Sequence, residues 1–216
     1  TRQAGYLLQD YEPWFFPESN QLMRQRVKST YALLPHRIVM SDWLQQILHQ
    51  DGYASDKIPL GLDLGQFYPR DIDTARPIVL AMARPGTPRR GFDATIAALS
   101  RVKQARPEVE VVLFGDRFLD RHSIPFMFRN EGLIVRQDHL AQLYSEATVF
   151  LDGSEFQGFG RCALEAMSCG SACVLTNVGG VMDYACDGEN ALLVPPNQPD
   201  LMCLSILRLL DDVSLR

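Results

Sequence analysis

The sequence predicts an α/β fold: a doubly wound, Rossmann-like parallel sheet over most of the chain, preceded by a partial α/β segment. Three observations predict it. From Ile78 onward, short apolar runs at Ile78–Ala83, Val109–Phe114, Leu133–Val135, Val149–Leu151, Cys173–Leu175 and Leu192–Val194 alternate with helix-like stretches. Those runs are near-continuous in apolar residues, as in strands covered on both faces. Turns rich in Gly and Pro follow two of them, at Arg84–Gly91 and Gly158–Gly160. In such sheets ligands bind outside the carboxyl ends of the strands.

The elements follow in order. Gly5–Gln9 reads as a short strand, and Asp10–Pro17, with two prolines, as a loop. Trp14, Phe15 and Phe16 in that loop have two readings: an acceptor or membrane-surface patch, or a face packed on chain that is missing here. Asn20–Leu33 reads as a helix capped by Ser19 or Asn20, Arg37–Met40 as a strand, and Trp43–His49 as a helix capped at Ser41-Asp42. Lys57–Pro69 lacks a helical period and reads as a linker. Helices are expected at Phe92–Ala105, His139–Glu146, Arg161–Ser168, Val181–Cys186 and Asp200–Asp211. Asp120–Arg129 stays open, because Pro125 interrupts it. The expected organisation is a remnant of a first domain over residues 1–60, a linker over 61–73 and the main domain over 74–216.

Composition bounds the function. A chain of 216 residues holds one good core and part of another. A net charge of −5 with no basic face argues against a nucleic-acid partner. The longest apolar runs are too short to span a bilayer, and no signal peptide is expected. The five cysteines are an odd set without zinc spacing, so they are expected to be reduced and mostly buried, in a cytosolic setting, with no metal site. His36, His49, His122 and His139 read as structural or surface residues. The chain opens on Thr1, which predicts a fragment or a processed product. A strand at Tyr6–Gln9 left without neighbours predicts self-association.

Two constellations carry chemistry. After the strand at Ile78–Ala83 comes Arg84-Pro85-Gly86-Thr87-Pro88-Arg89-Arg90-Gly91. A dinucleotide-binding chain would place G-x-G-x-x-G here, and it does not. Instead two prolines stiffen a turn with three arginines, whose forks match phosphate oxygens and stay charged. The second is Ser154–Gly170, a strand–turn–helix unit. Gly158-Phe159-Gly160 leads into the helix Arg161–Ser168, which Gly170 closes. The bare amides of a helix start bind anions. Arg161 and Glu165 are one turn apart. They read either as a solvated ion pair, contributing about 0.2–0.5 kcal/mol, or as parts of a crevice that holds an anionic ligand.

On Gly158-Phe159-Gly160, Leu164-Glu165-Ala166-Met167 and Gly170 the chain resembles the retaining, GT-B-fold, group 1 (family 4) glycosyltransferases. Gly61-Leu62-Asp63 and Phe67-Tyr68-Pro69 resemble the family's interdomain connection. Arg84, and Arg90 before Gly91, resemble its Arg and Lys. Gly115 and Val178–Asp183 are weaker matches. The resemblance implies that Glu165 holds the ribose hydroxyls and that Gln157, with the amides of Gly158, Phe159 and Gly160, faces the donor sugar and diphosphate. Arg84 and Arg90, with Arg89 as a competitor for the latter's role, would stabilise the departing diphosphate. Arg161 would lie beside the same ligand. The family pattern has Glu where Gln157 stands, and nearby Glu155 is expected to aim elsewhere.

The resemblance implies transfer of a sugar from a nucleotide diphosphate donor to a cell-envelope polysaccharide or glycolipid, without a metal or other cofactor. The expected place is the cytoplasm, including its membrane face. The opening Gln9–Pro13 resembles rhamnan-type rhamnosyltransferases. The fragment alone is expected to bind nucleotide and transfer little sugar. A second reading, favoured by Gln157 and the missing half, is a degenerate binding or scaffolding module. A third, a nicotinamide-dependent oxidoreductase, is opposed by the absent glycine motif.

Overall fold

The structure, a computed structural model, describes residues 4–216. It divides into two compact units. The first comprises Thr1–Gly61 with Gln157–Gly160 and Val178–Tyr184; the second comprises Leu62–Phe156, Arg161–Asn177 and Ala185–Arg216.

In the first unit the elements run β1 (Gly5–Leu8), α1 (Gln21–Thr30), β2 (His36–Val39), α2 (Asp42–Gln50) and β3 (Asp56–Lys57). The strands form a parallel sheet in the order β1-β2-β3. Both helix starts are set by side chains: the Asn20 carbonyl oxygen accepts from the Met23 amide at 3.2 Å, and the Ser41 hydroxyl accepts from the Leu44 amide at 3.2 Å. Leu8, Tyr11, Tyr31, Val39, Leu44 and Leu48 make the core. Tyr31 donates to Glu12 at 2.6 Å, so a buried ring keeps its hydroxyl satisfied.

Two expectations are corrected in this unit. The strand at its start is not without neighbours, because β1 pairs along its length with β2. The stretch read as a linker loses only its first residue, Lys57, to β3, whose two residues are too few to leave a periodic signal. Trp14 and Phe15 are 39% and 46% exposed, and Trp14 packs edge-on against Tyr11 and Trp43.

In the second unit β4 (Ile78–Met82), α3 (Phe92–Ala105), β5 (Glu110–Phe114), β6 (Arg129–Gly132), α4 (Gln137–Glu146), β7 (Val149–Asp152), α5 (Arg161–Ser168), β8 (Ala172–Thr176), β9 (Leu192–Val194) and α6 (Pro199–Asp211) follow in turn. Among the described residues the sheet has six parallel strands in the order β6-β5-β4-β7-β8-β9. The chain winds outward from β4 to β6, then restarts at β7 and winds the other way. The strands alternate between two buried faces. Val79, Ala81, Val111, Leu113, Val149 and Leu151 meet Leu99 and Val102 of α3 and Met202 and Ile206 of α6. On the other face Phe114 and Phe150 stack edge-on against Tyr144 of α4. This is the doubly wound arrangement that near-continuous apolar runs dictate.

The sixth strand was expected at Leu133–Val135 and lies at Arg129–Gly132. Leu133 and Val135 are instead 49% and 79% exposed. An edge strand needs no apolar run, and this one pairs with β5, to which Arg129 also reaches through Glu110 at 2.9 Å. The helix expected at Val181–Cys186 is a single 3-10 turn over Gly180–Asp183, and Asp120–Arg129 forms no helix. The five cysteines are free, and three of them, Cys169, Cys173 and Cys203, are buried.

Candidate functional site

The switch point of the second unit's sheet lies between β4 and β7, where the winding reverses. The turns that leave these two strands flank the crevice in which such sheets bind ligands. The turn after β4 carries Arg84, Arg89 and Arg90, all half-buried. It is docked on the loop after β7: the Glu155 amide donates to the Arg89 carbonyl at 2.8 Å. Gly91 makes the approach possible. Its φ is +61°, and a Cβ there would sit 1.9 Å from the Gly153 carbonyl oxygen. The Arg84 stem runs beside Gly115, whose added Cβ would meet Arg84 Cγ at 3.2 Å. Arg84 Nε is buried and has no hydrogen-bond partner among the described residues. A buried donor left without an acceptor is costly, so an acceptor from outside the protein stabilises it.

Helix α5 supplies the second half. Glu165 is 2% exposed and accepts from Arg161 Nε at 2.6 Å, one turn earlier. The buried Tyr144 hydroxyl lies 3.4 Å away on its other oxygen. Burial raises the Glu165 carboxyl above its ordinary value, and the Arg161 guanidinium and Tyr144 hydroxyl oppose the shift. Burial also pushes the Cys162 thiol up to about 11, with Glu165 adding to the shift and Arg90 opposing it. Glu155 turns away as expected and accepts from Asn197 at 3.1 Å.

Gln157, Gly158, Phe159 and Gly160 belong to the first unit and are buried there. The Gln157 carbonyl accepts from the Gly180 amide at 2.9 Å, the Gly158 carbonyl from the Ser41 hydroxyl at 2.6 Å, and the Gly160 carbonyl from the Tyr184 hydroxyl at 2.6 Å. Gly158 is required by contact, because a Cβ would lie 2.0 Å from the Gln9 carbonyl oxygen. Asp183, the acid after the paired glycines, accepts from the Asp42 amide at 2.9 Å and from Lys57 at 3.0 Å. It holds the start of α2.

Sequence reasoning named Ser41 only as a helix cap and missed Tyr144, Tyr184 and Asp152. Asp152 is 4% exposed at the end of β7 and accepts from the Ser154 hydroxyl at 2.6 Å. An acid closing an apolar run was its available signal. The two tyrosines carry no local signal, since their hydroxyls act on residues more than twenty positions away. Among the described residues no three or more His, Cys, Asp or Glu side chains are grouped to hold a metal. No helix of the described residues is long and apolar enough to cross a membrane.

The family described as "Glycosyl transferases group 1" matches residues 76–212, more than half of the chain. The chain belongs to this family. Similar relatives include a D-inositol 3-phosphate glycosyltransferase of Salinispora arenicola, 30% identical over 72% of this chain and 42% of the relative. A phosphatidyl-myo-inositol mannosyltransferase of Mycolicibacterium smegmatis is 26% identical over 83% of this chain and 49% of its own length. The chain thus spans about half the length of the curated relatives it matches. Among solved structures, HepE of Anabaena in complex with UDP-glucose superposes with a TM-score of 0.82 at 21% identity, over 99% of this chain and 64% of that one. The fold is that of GT-B glycosyltransferases.

Proposed function

We propose that this chain is the donor-binding part of a retaining glycosyltransferase of family 4, which moves a sugar from a nucleotide diphosphate to a cell-envelope polysaccharide or glycolipid. The observation that carries the reading is Arg84. Its buried Nε, without a partner among the described residues, stands just past the carboxyl end of β4, beside the switch point, on a stiff turn with two further arginines. A diphosphate oxygen is the acceptor such a group lacks. Arg84 and Arg90 then stabilise the negative charge that grows on the departing diphosphate, and Arg89 holds it in the ground state. Glu165 accepts the ribose hydroxyls. Gln157, Gly158, Phe159, Gly160 and Arg161 contact the sugar and its phosphate. In this reading the arginines and the helix start supply the positive charge, and no metal or cofactor takes part.

The relatives' names support an inositol-bearing or other hydroxyl acceptor, and the HepE complex supports a nucleotide-sugar donor. In the same proposal residues 1–60 belong to the acceptor-side domain, 61–73 to a linker and 74–216 to the donor domain, working in the cytoplasm, including its membrane face. Calorimetric titration with UDP, GDP, TDP and ADP, and with their sugars, tests it. One nucleoside diphosphate and its sugar are expected to bind; a protein that binds none of them sinks the reading.

A further inference from the structure

We infer that Ser41 and Tyr184 are positioning residues for the donor: they hold two carbonyls of the Gln157–Gly160 turn so that its amides are presented to the distal phosphate and sugar. The inference rests on the functional reading above and adds residues outside the family's signature stretch.

All the contacts lie within the first unit. Ser41 is fully buried, and its one hydroxyl works twice. Its oxygen accepts from the Leu44 amide at 3.2 Å, starting α2, and its proton goes to the Gly158 carbonyl at 2.6 Å. Tyr184 donates to the Gly160 carbonyl at 2.6 Å while its ring packs on Phe159 at 5.5 Å. With the Gly180 amide on the Gln157 carbonyl at 2.9 Å, the turn has three engaged carbonyls.

The peptide bond explains why this matters. No peptide in the described residues is cis. In a planar trans peptide the N–H points opposite to the C=O of the preceding residue. Fixing the Gln157, Gly158 and Gly160 carbonyls therefore fixes the amides of Gly158, Phe159 and Arg161, each pointing away from the partner of its own peptide's carbonyl. None of those three amides donates to an acceptor among the described residues. A buried turn with three engaged carbonyls, followed by amides that lack an acceptor among the described residues, is poised for an external acceptor. Glycines make the turn flexible, so without the two hydroxyls its peptides are free to rotate and the donors lose their fixed directions.

The test uses the full-length protein and the nucleoside diphosphate, among UDP, GDP, TDP and ADP, that the wild type binds, with the corresponding monophosphate as control. Tyr184→Phe deletes one hydroxyl and keeps the ring. Ser41→Gly deletes the other and leaves an acceptable helix cap. Ser41→Thr retains the hydroxyl. Each deletion is expected to weaken the diphosphate by about five- to tenfold, the size of one hydrogen bond, and the monophosphate by less than about twofold. Ser41→Thr restores diphosphate affinity. Thermal unfolding of each variant checks that it is folded. Unchanged diphosphate affinity in folded Tyr184→Phe and Ser41→Gly, or equal loss for mono- and diphosphate, overturns the inference and leaves the functional reading standing. A wild type that binds none of the four nucleotides overturns both.

Discussion

Glu165 sits at 2% exposure against one arginine and one buried tyrosine, with its carboxyl held above the ordinary range by burial. In the unfolded chain the same group ionises near its usual value. Stability is therefore unaffected below that value, falls as pH rises toward the raised folded value, and stays lower above it. Ligand binding runs the other way, since a carboxylate accepts hydroxyl protons more strongly than a carboxylic acid does. We predict that Glu165→Gln lowers nucleotide affinity about tenfold or more by calorimetry, while the thermal midpoint holds or rises. Wild-type affinity is expected to drop on acidification through the raised value, and the Gln variant is expected to lose that pH dependence. A destabilised Gln variant with full affinity would make Glu165 a structural residue.

Among elements, the turn after β4 is the one whose loss separates charge from scaffold. Arg84→Ala and Arg90→Ala are each expected to cut nucleoside diphosphate affinity about ten- to hundredfold, as charged hydrogen bonds of about 1.5–3 kcal/mol do, with little effect on the unfolding midpoint. Arg84→Lys is expected to recover little of it, because an ammonium does not reproduce the fork. Gly91→Ala acts on the scaffold instead. A methyl at φ +61° and 1.9 Å from the Gly153 oxygen forces the turn off the loop after β7. The expected cost is about 1–3 kcal/mol of stability together with weakened diphosphate binding. A variant as stable as wild type would show that the turn relaxes at no cost.

For the whole molecule, the matched relatives are about twice as long as this chain, and acceptor chemistry is proposed to lie largely outside it. The isolated chain is predicted to bind nucleotide sugar and to transfer little or none of it to an acceptor in a product assay. Appreciable turnover would refute that partition. Its first sheet ends in β1, which pairs with β2 on one side only among the described residues. Exposed edges of this kind recruit further strands. Self-association is predicted, and a monodisperse monomer by light scattering at high concentration would count against it.

The sequence by itself determined the second unit's fold and the catalogue of its charged groups. Strands buried on both faces must be apolar throughout, as Ile78–Met82 and Val149–Leu151 are, and helix α5 begins and ends where its glycine turn and Gly170 place it. The edge strand β6 escaped, because exposure frees it from that rule. Only the tertiary structure decided that the Arg84 Nε donor is buried without a partner among the described residues, that the Glu155 amide fastens the arginine turn, and that Ser41, Gly180 and Tyr184 fasten the Gln157–Gly160 turn. The reason is range. Periodicity and capping act within a few residues, whereas the Ser41–Gly158 bond joins atoms 117 positions apart, and no local pattern encodes which distant hydroxyl will arrive there.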